Sequence, residues 1–459
     1  MRVAIVGTGY VGLVSSACLA ELGIETIGID KDTHKIQSIK SGVMPIYEDG
    51  LEDLVSRNIK RGRLHFTDDL AGAVSQADVV FIAVGTPMRE DDNRADLSAV
   101  FEVVRSLAPH LRGYTVVATK STVPVGTGHL IESELLSGPK IPNCDVASNP
   151  EFLREGAAID DFLNPDRIVI GTNSERARRK LLELYAPLGK KGVRIVATDR
   201  ETAEITKYAA NSFLATKIAF INEIADLCER VGGNVVEVAE AIGLDRRIGE
   251  SYLQVGPGYG GSCFPKDTRA FVATADDFGV AQRIVATAIA ANDQRKNGMA
   301  QRIAEASGGS VEGKTLAVLG LTFKANTDDM RDAPSLTIVP ALQKRGANIR
   351  AYDPGVNGRA VEFLPGIESC DNAYDAAHEA DSVIVMTEWP EFREIDLDRL
   401  YQRMRGRTMI DLRNLFSLDA VRNAGFDYVS IGRRPVRAND NLTPWAAGGR
   451  AAASSRGRS

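Results

Sequence analysis

The chain has 459 residues, 44% of them hydrophobic and 25% charged, with a formal net charge of −6. That length leaves room for about three domains, and the composition is ordinary for a folded globular protein. The mild acidity argues against a general nucleic-acid or polyanion binder, the lack of an apolar run of about 18 residues argues against a membrane span, and five scattered cysteines without CxxC spacing argue against a disulfide framework or a metal site.

Met1 and Arg2 lead straight into the apolar run Val3–Val6, with no signal-peptide pattern, so reduced thiols in a cytoplasm are expected. Further strands are expected at Thr26–Ile29, Val79–Val84 and Thr115–Thr119, separated by helical stretches such as Gly12–Leu22 and Leu97–Leu107. This alternation predicts a parallel sheet with helices on both faces. Glu201–Arg230 contains no Gly or Pro and carries Ile205, Phe213, Ile218, Ile221, Ile224 and Leu227, which predicts one long helix. A glycine-rich loop, Gly256–Gly261, separates it from a second helical stretch after Pro265. Strands resume at Leu316–Leu319, Ile349–Tyr352, Val383–Met386 and Thr408–Ile410. The run Ala77–Ile82 echoes Ala380–Val385, which suggests two similar α/β units, although buried strands also resemble one another by chance. From about Val436 the chain turns to Ala, Gly, Ser and Arg, the composition of an unstructured tail. The expected fold is α/β: Rossmann-like doubly wound domains at 1–200 and 301–435, joined by a long central helix in a helical middle domain at 201–300, with a tail at 436–459.

Gly7-Thr8-Gly9-Tyr10-Val11-Gly12 follows a strand and opens a helix. In that setting Gly7 permits the tight turn, Gly9 lets backbone approach a pyrophosphate, and Gly12 allows close helix–strand packing. The helix N-terminus offers unpaired N–H groups to phosphates. Asp30, at the end of the second strand, suits a ribose diol and disfavours a 2′-phosphate, which favours NAD over NADP. Lys31 and Lys35 lie close to it and weaken that preference, and Thr86 follows the strand ending at Val84.

The segment Gly260-Gly261-Ser262-Cys263-Phe264-Pro265-Lys266-Asp267 carries the strongest chemical pattern. Pro265 suits a first helical turn, which places Cys263 at the helix N-terminus and favours its thiolate. A lone cysteine is usually a small buried hydrophobe, and Cys18 and Cys228 fit that description. Lys207 and Asn211 are spaced i, i+4 and share one helix face; by spacing alone a solvated face is the better reading. The loops Lys120–Gly126 and Ser148–Gly156 follow strands, where doubly wound proteins bind ligands.

These pieces resemble the UDP-glucose 6-dehydrogenase family: GTGYVG, PIYEDGL at Pro45–Leu51, VGTP, KSTVPVG, SNPEFLREG, the Glu204–Glu223 helix, GGSCFPKD and Gly320-Leu321-Thr322-Phe323-Lys324 occur in the family's order. The resemblance runs to about Gly432. It implies a homodimer that oxidises a UDP-sugar alcohol to a carboxylate in two steps with two NAD. It makes Cys263 the nucleophile, passing through a thiohemiacetal and a thioester. Lys207 and Asn211 would steady the oxyanion, Asp267 and Thr122 would hold a water, and Glu151 would move a proton. Asp30, Lys35, Thr86, Thr122, Glu155, Lys266 and Arg331 would lie along the cofactor, with Gly7, Gly9, Tyr10, Val11 and Gly12. The substrate would meet Glu151, Phe152, Leu153, Arg154, Glu155, Lys207, Asn211, Tyr252, Leu253, Gln254, Val255, Gly256, Gly260, Lys324 and Arg413, with Arg247 able to come from a partner subunit. Rival readings are the same chemistry on GDP-mannose or UDP-N-acetylmannosamine, a two-electron 3-hydroxyacid dehydrogenase, and a non-enzymatic NAD sensor.

Overall fold

The structure is a computed structural model that describes residues 1–89, 91–137, 142–356 and 358–438. Its first sheet contains β1 (Arg2–Val6), β2 (Glu25–Ile29), β3 (Leu64–Thr67), β4 (Val79–Ile82), β5 (Thr115–Thr119), β6 (Cys144–Ser148), β7 (Arg167–Gly171) and β8 (Arg194–Thr198). Their order is β3-β2-β1-β4-β5-β6-β7-β8. All neighbours run parallel except β6 and β7, which meet at the pair Ser148 and Gly171. Every residue of β4 and β5 is buried, as expected for parallel strands covered by helices on both faces.

The second sheet contains β9 (Thr315–Leu319), β10 (Asn348–Tyr352), β11 (Glu368–Ser369), β12 (Ser382–Val385), β13 (Thr408–Asp411) and β14 (Asp427–Ser430), all parallel, in the order β11-β10-β9-β12-β13-β14. This repeats the order of the first six strands. The sequence echo has a structural counterpart, because β4 and β12 occupy the same place beside β1 and β9. Both halves are therefore doubly wound, and the region between them is helical.

The helix at the dinucleotide motif spans Tyr10–Glu21, two residues earlier than expected, because it starts inside the glycine motif at Gly9. The long helix spans Arg200–Val231; Asp199 caps it by accepting from Thr202 N at 2.7 Å, and Gly232 ends it at φ 78°. The helix Arg283–Ala306 runs through position 300, where a domain division was expected. Val436, expected to open an unstructured tail, is buried and pairs with Tyr428 through two backbone hydrogen bonds of 2.7 and 2.9 Å. The rest of that expected tail, 439–459, lies outside the described residues.

The long helix corrects one expectation. Its buried side carries Lys207, Asn211, Ser212 and Asn222 with small alanines, while Ile205, Phe213, Phe220, Leu227 and Val231 are exposed. Tyr208, Ile221 and Cys228 are also buried, so polar and apolar residues share the inward face while large apolar residues lie outward as well. The reading of Lys207 and Asn211 as a solvated face fails because both are buried on the side of the helix that packs against β7, β6 and the helices Phe264–Asp277 and Arg283–Ala306. No helix among the described residues is long and apolar enough to cross a membrane.

Candidate active site

The carboxyl ends of the strands supply much of the site. After β1, Gly7 adopts φ 102°, and a Cβ there would come within 2.6 Å of Ala83 O; a Cβ on Gly12 would come within 1.8 Å of Gly7 O. Gly9 differs, since nothing lies within 4 Å of its Cβ position and no side chain caps the helix it begins. This leaves unpaired N–H groups facing open space, a fit for a dinucleotide pyrophosphate. Val11 lies in the first turn of that helix.

After β2, Asp30 accepts from Thr8 N (2.9 Å), Thr8 Oγ1 (2.8 Å) and Lys35 Nζ (2.9 Å). Burial acts to raise its carboxyl, but the Lys35 ammonium and the Thr8 donors outweigh burial and hold it at about 2. Lys35 thus fixes Asp30 as an anion. After β4 and β5, Thr86 Oγ1 donates to Thr122 O at 2.8 Å, joining two expected cofactor positions. Tyr10 bonds Glu48, which also accepts from Gly156 N and Ala158 N at 2.7 Å each. Glu48 ties the dinucleotide helix to the loop after β6; the sequence reading placed it in a motif and gave it no role.

Cys263 is the N-cap of the helix Phe264–Asp277, with Pro265 in its first turn. The loop before it requires glycine. A Cβ on Gly260 would lie 2.3 Å from Asp332 O, and one on Gly261, at φ 84°, would lie 2.7 Å from the Phe323 ring. The expected low-pKa thiol is corrected. Burial and then the Asp267 carboxylate push the Cys263 thiol up to about 11, although Lys207 pulls the other way. The helix N-terminus is outweighed because the sulfur is desolvated and shares its pocket with anions.

Lys207 Nζ pairs with Glu151 Oε1 at 3.1 Å, both side chains being buried. Burial acts to lower the Lys207 amine, but Glu151, Cys263 and Asp267 together keep it above the ordinary lysine value. One helical turn on, Asn211 Nδ2 donates to Asp267 Oδ2 at 2.6 Å, and Lys266 Nζ pairs with the other oxygen of this fully buried carboxylate. The structure therefore gathers Cys263, Lys207, Asn211, Asp267 and Glu151 into one cluster. Thr122 and Asp267, expected to share a water, make no direct hydrogen bond.

The loop after β6 turns on itself, with Leu153 N donating to Glu151 Oε2 at 2.5 Å. Arg167 stacks on the Phe152 ring at 3.6 Å, and Arg154 pairs with Asp161 at 2.6 Å. Glu155 accepts from Ser262 Oγ (3.1 Å) and Arg331 Nη2 (3.5 Å). Burial, and then neighbouring Asp329, raise its carboxyl to about 7.

Tyr252 adopts φ 65°, and its ring centroid lies 5.9 Å from that of Phe264. Leu253 and Val255 are buried and Gln254 is exposed. Gly256 N donates to Asn222 Oδ1 at 3.0 Å, Gly256 O accepts from Arg295 Nε at 2.6 Å, and a Cβ on Gly256 would lie 2.8 Å from Arg413 Nη1. Arg413 bonds Met386 O (2.9 Å) and Glu388 (3.0 Å). Lys324 lies over Phe323, and burial pulls its amine below the ordinary lysine value. Arg247 stands apart on the surface, paired with Asp245 at 2.6 Å. Asn222, Asn292 and Arg295, which hold the loop's main chain, were missed; isolated polar residues in a helix carry no local pattern that marks them.

Models of the UDP-glucose/GDP-mannose dehydrogenase family match the chain in three stretches: the NAD binding domain at residues 1–189, the central domain at 201–294 and the UDP binding domain at 317–418. The chain is 52% identical over 435 residues to a UDP-glucose 6-dehydrogenase of Rhizobium meliloti, covering 94% of this chain and 100% of that one. It is 45% identical to a UDP-glucose 6-dehydrogenase of Bacillus subtilis, covering 96% and 95%. A solved UDP-glucose dehydrogenase from Pyrobaculum islandicum superposes with a TM-score of 0.87 at 35% identity, covering 94% and 98%.

Proposed function

Because the chain belongs to the UDP-glucose/GDP-mannose dehydrogenase family, we propose that it oxidises UDP-glucose to UDP-glucuronate with two equivalents of NAD⁺. The observation that carries this reading is the single cluster of Cys263, Lys207, Asn211, Asp267 and Glu151. A two-electron dehydrogenase needs no cysteine in such a cluster. Oxidation onward to an acid needs the aldehyde hydrated or covalently trapped before it escapes, and a cysteine supplies the covalent trap.

NAD⁺, when bound, takes up one hydride at each of the two oxidation stages. Gly7, Gly9, Gly12 and the helix N-terminus would hold its pyrophosphate, Asp30 and Lys35 its adenosine ribose, and Thr86, Thr122, Glu155, Lys266 and Arg331 the remainder. The Cys263 sulfur bonds to C6 of the aldehyde as the thiol proton leaves to a neighbouring carboxylate. Lys207 and Asn211 donate to the oxygen that becomes negative. After the second oxidation the sulfur is held as a thioester. A water positioned by Asp267 and Thr122 gives a proton to Glu151, attacks that carbon and breaks the carbon–sulfur bond. Lys324 and Arg413 bind the UDP portion, and the loop Tyr252–Gly260 closes over the sugar.

In this reading the first sheet with its helices is the cofactor domain, the helical region 200–306 the dimerisation and cysteine-loop domain, and the second sheet with its helices the UDP-sugar domain. The exposed apolar stripe of the long helix favours a homodimer, in which Arg247 reaches the partner's site. Five unpaired cysteines fit a cytoplasmic protein. The deciding experiment is turnover on UDP-glucose, GDP-mannose and UDP-N-acetylmannosamine with NADH counted per carboxylate. Two NADH per UDP-glucuronate supports the proposal; one NADH, or oxidation of another nucleotide sugar but not UDP-glucose, rejects it.

A further inference from the structure

Lys120, in the loop after β5, is a buried cation outside the cluster just described. Its Nζ donates to Asn149 Oδ1 at 2.9 Å and to Tyr185 OH at 3.2 Å, with the rings of Phe81, Phe162 and Tyr185 at 5.4–5.7 Å. Among the described residues no carboxylate lies within ion-pair distance of it. A buried ammonium held only by neutral groups is costly and calls for a reason. The anion that most favours its charge is Glu151, and the cation that most opposes it is Lys207.

Three features connect Lys120 to Glu151. Asn149, its main partner, stands two residues before Glu151 and is pinned by Asn149 N to Thr119 O (2.8 Å) and Asn149 Nδ2 to Val169 O (2.7 Å). Lys120 and Glu151 also line one cavity of about 220 Å³ behind the loop, with Arg154, Arg167 and Tyr185. That volume has room for several waters. Finally, the burial that pulls the Lys120 amine down to about 8 leaves it protonated over most of the neutral range.

We propose that Lys120 is a positioning residue for the reaction: it fixes the Asn149–Glu151 turn and supplies a positive charge, besides those of Lys207 and Arg167, that favours the ionised carboxylate of Glu151. This rests on the reading of Glu151 as the group that takes the proton from water. The other charged or titratable groups around Glu151 are Lys207 on the long helix, Arg167 and the Cys263 thiol; the cavity adds Asp160, Asp166 and the Arg154–Asp161 pair.

The test is the pH profile of kcat for the full-length enzyme with saturating UDP-glucose and NAD⁺. Lys120→Met is expected to move the acidic limb up by about one pH unit, with both KM values within about two-fold, because the buried Lys120 ammonium is engaged by Asn149 and Tyr185. Lys120→Arg and Tyr185→Phe keep the charge and are expected to leave that limb in place even where kcat falls. If Lys120→Met does not fold, Asn149→Asp sets a carboxylate against the ammonium and is expected to move the limb the same way. A limb that stays at the wild-type pH in folded Lys120→Met, or in Asn149→Asp, overturns the proposal. Glu151→Gln separates the two readings: loss of turnover there beside an unmoved limb in Lys120→Met rejects Lys120 alone. Unchanged turnover in Glu151→Gln rejects the role of Glu151 and this proposal with it.

Discussion

The Cys263 thiol offers the sharpest test of the electrostatics, because the groups around it act with opposite signs. Burial and Asp267 raise it to about 11, and Lys207 lowers it. At pH 8 such a thiol is thiolate in about one molecule per thousand, against about a quarter for a free cysteine near pKa 8.5. Replacing Asp267 with Asn removes the anion and keeps the shape, and one nearby charge is worth about one pKa unit or more. The thiolate population then rises about ten-fold. Nucleophilicity falls as the pKa falls, with a Brønsted slope near 0.4–0.5, so alkylation should quicken by only about three-fold. Lys207→Met removes the cation and should slow it by a similar factor. The assay is the rate of iodoacetamide labelling from pH 7 to 10 without ligand, read at the Cys263 peptide by mass spectrometry so that Cys144 does not contribute. Opposite signs in the two variants are expected. Equal acceleration in both would mean that loosened packing, not charge, controls the thiol, and would refute the reasoning. Turnover of Asp267→Asn should still fall by about a hundred-fold, since general-base and water-positioning groups contribute at least that much.

Cys263→Ser is expected to release at most one NADH per UDP-glucose while binding NAD⁺ normally, checked by stopped-flow absorbance and calorimetry; full steady-state activity would end the thioester mechanism. Asp30 has its carboxyl depressed to about 2 in the fold, so it contributes up to about 2 kcal/mol above pH 4 that is lost as pH falls towards 2. Asp30→Asn should therefore lower urea stability at pH 6 and converge with wild type only as the pH falls to about 2 or below, and it should narrow the preference for NAD⁺ over NADP⁺. Phe213→Glu with Phe220→Glu puts charge on the exposed apolar stripe of the long helix, and light scattering should report monomers in place of dimers; an unchanged mass would remove the long helix from the interface.

Much of the fold was legible because its elements are locally determined. The apolar strands β1, β4, β5, β9 and β12 sit in the middle of their sheets, and burial on both faces demands continuous hydrophobic runs. The edge strand β8 carries the short run Ile195-Val196-Ala197 but exposes Arg194, Val196 and Ala197, so its pattern is weaker. The glycine motif was legible for a different reason. At Gly7 and Gly12 a side chain would collide with backbone at 2.6 and 1.8 Å, so the residue type reports the geometry directly.

The site was legible only in pieces. Periodicity assumes that apolar residues face the interior, and the long helix breaks that assumption by turning Lys207, Asn211 and Asn222 inward and Phe213, Phe220 and Leu227 outward. The physical reason is that its inward face is mixed: Ile221, Ala225 and Cys228 join a hydrophobic core, while the polar residues meet the site loops. The Lys207 ammonium is satisfied by Glu151 from the loop after β6, Asn211 by Asp267 from the cysteine helix, and Asn222 by the main chain of Gly256. No single segment contains both members of any of these pairs, so no local pattern could show them. The thiol illustrates the consequence. Its place at a helix N-terminus was visible in Gly260–Asp267 and pointed to an activated thiolate; its pocket contains Asp267 and Glu151 as well as Lys207, and the sulfur is desolvated by burial. A protected, neutral thiol at rest is the better starting state for a reaction that forms an aldehyde first. In the proposed reaction the thiol becomes reactive only when its proton has somewhere to go, and that depends on Asp267 and Glu151, carboxylates placed by two separate parts of the chain.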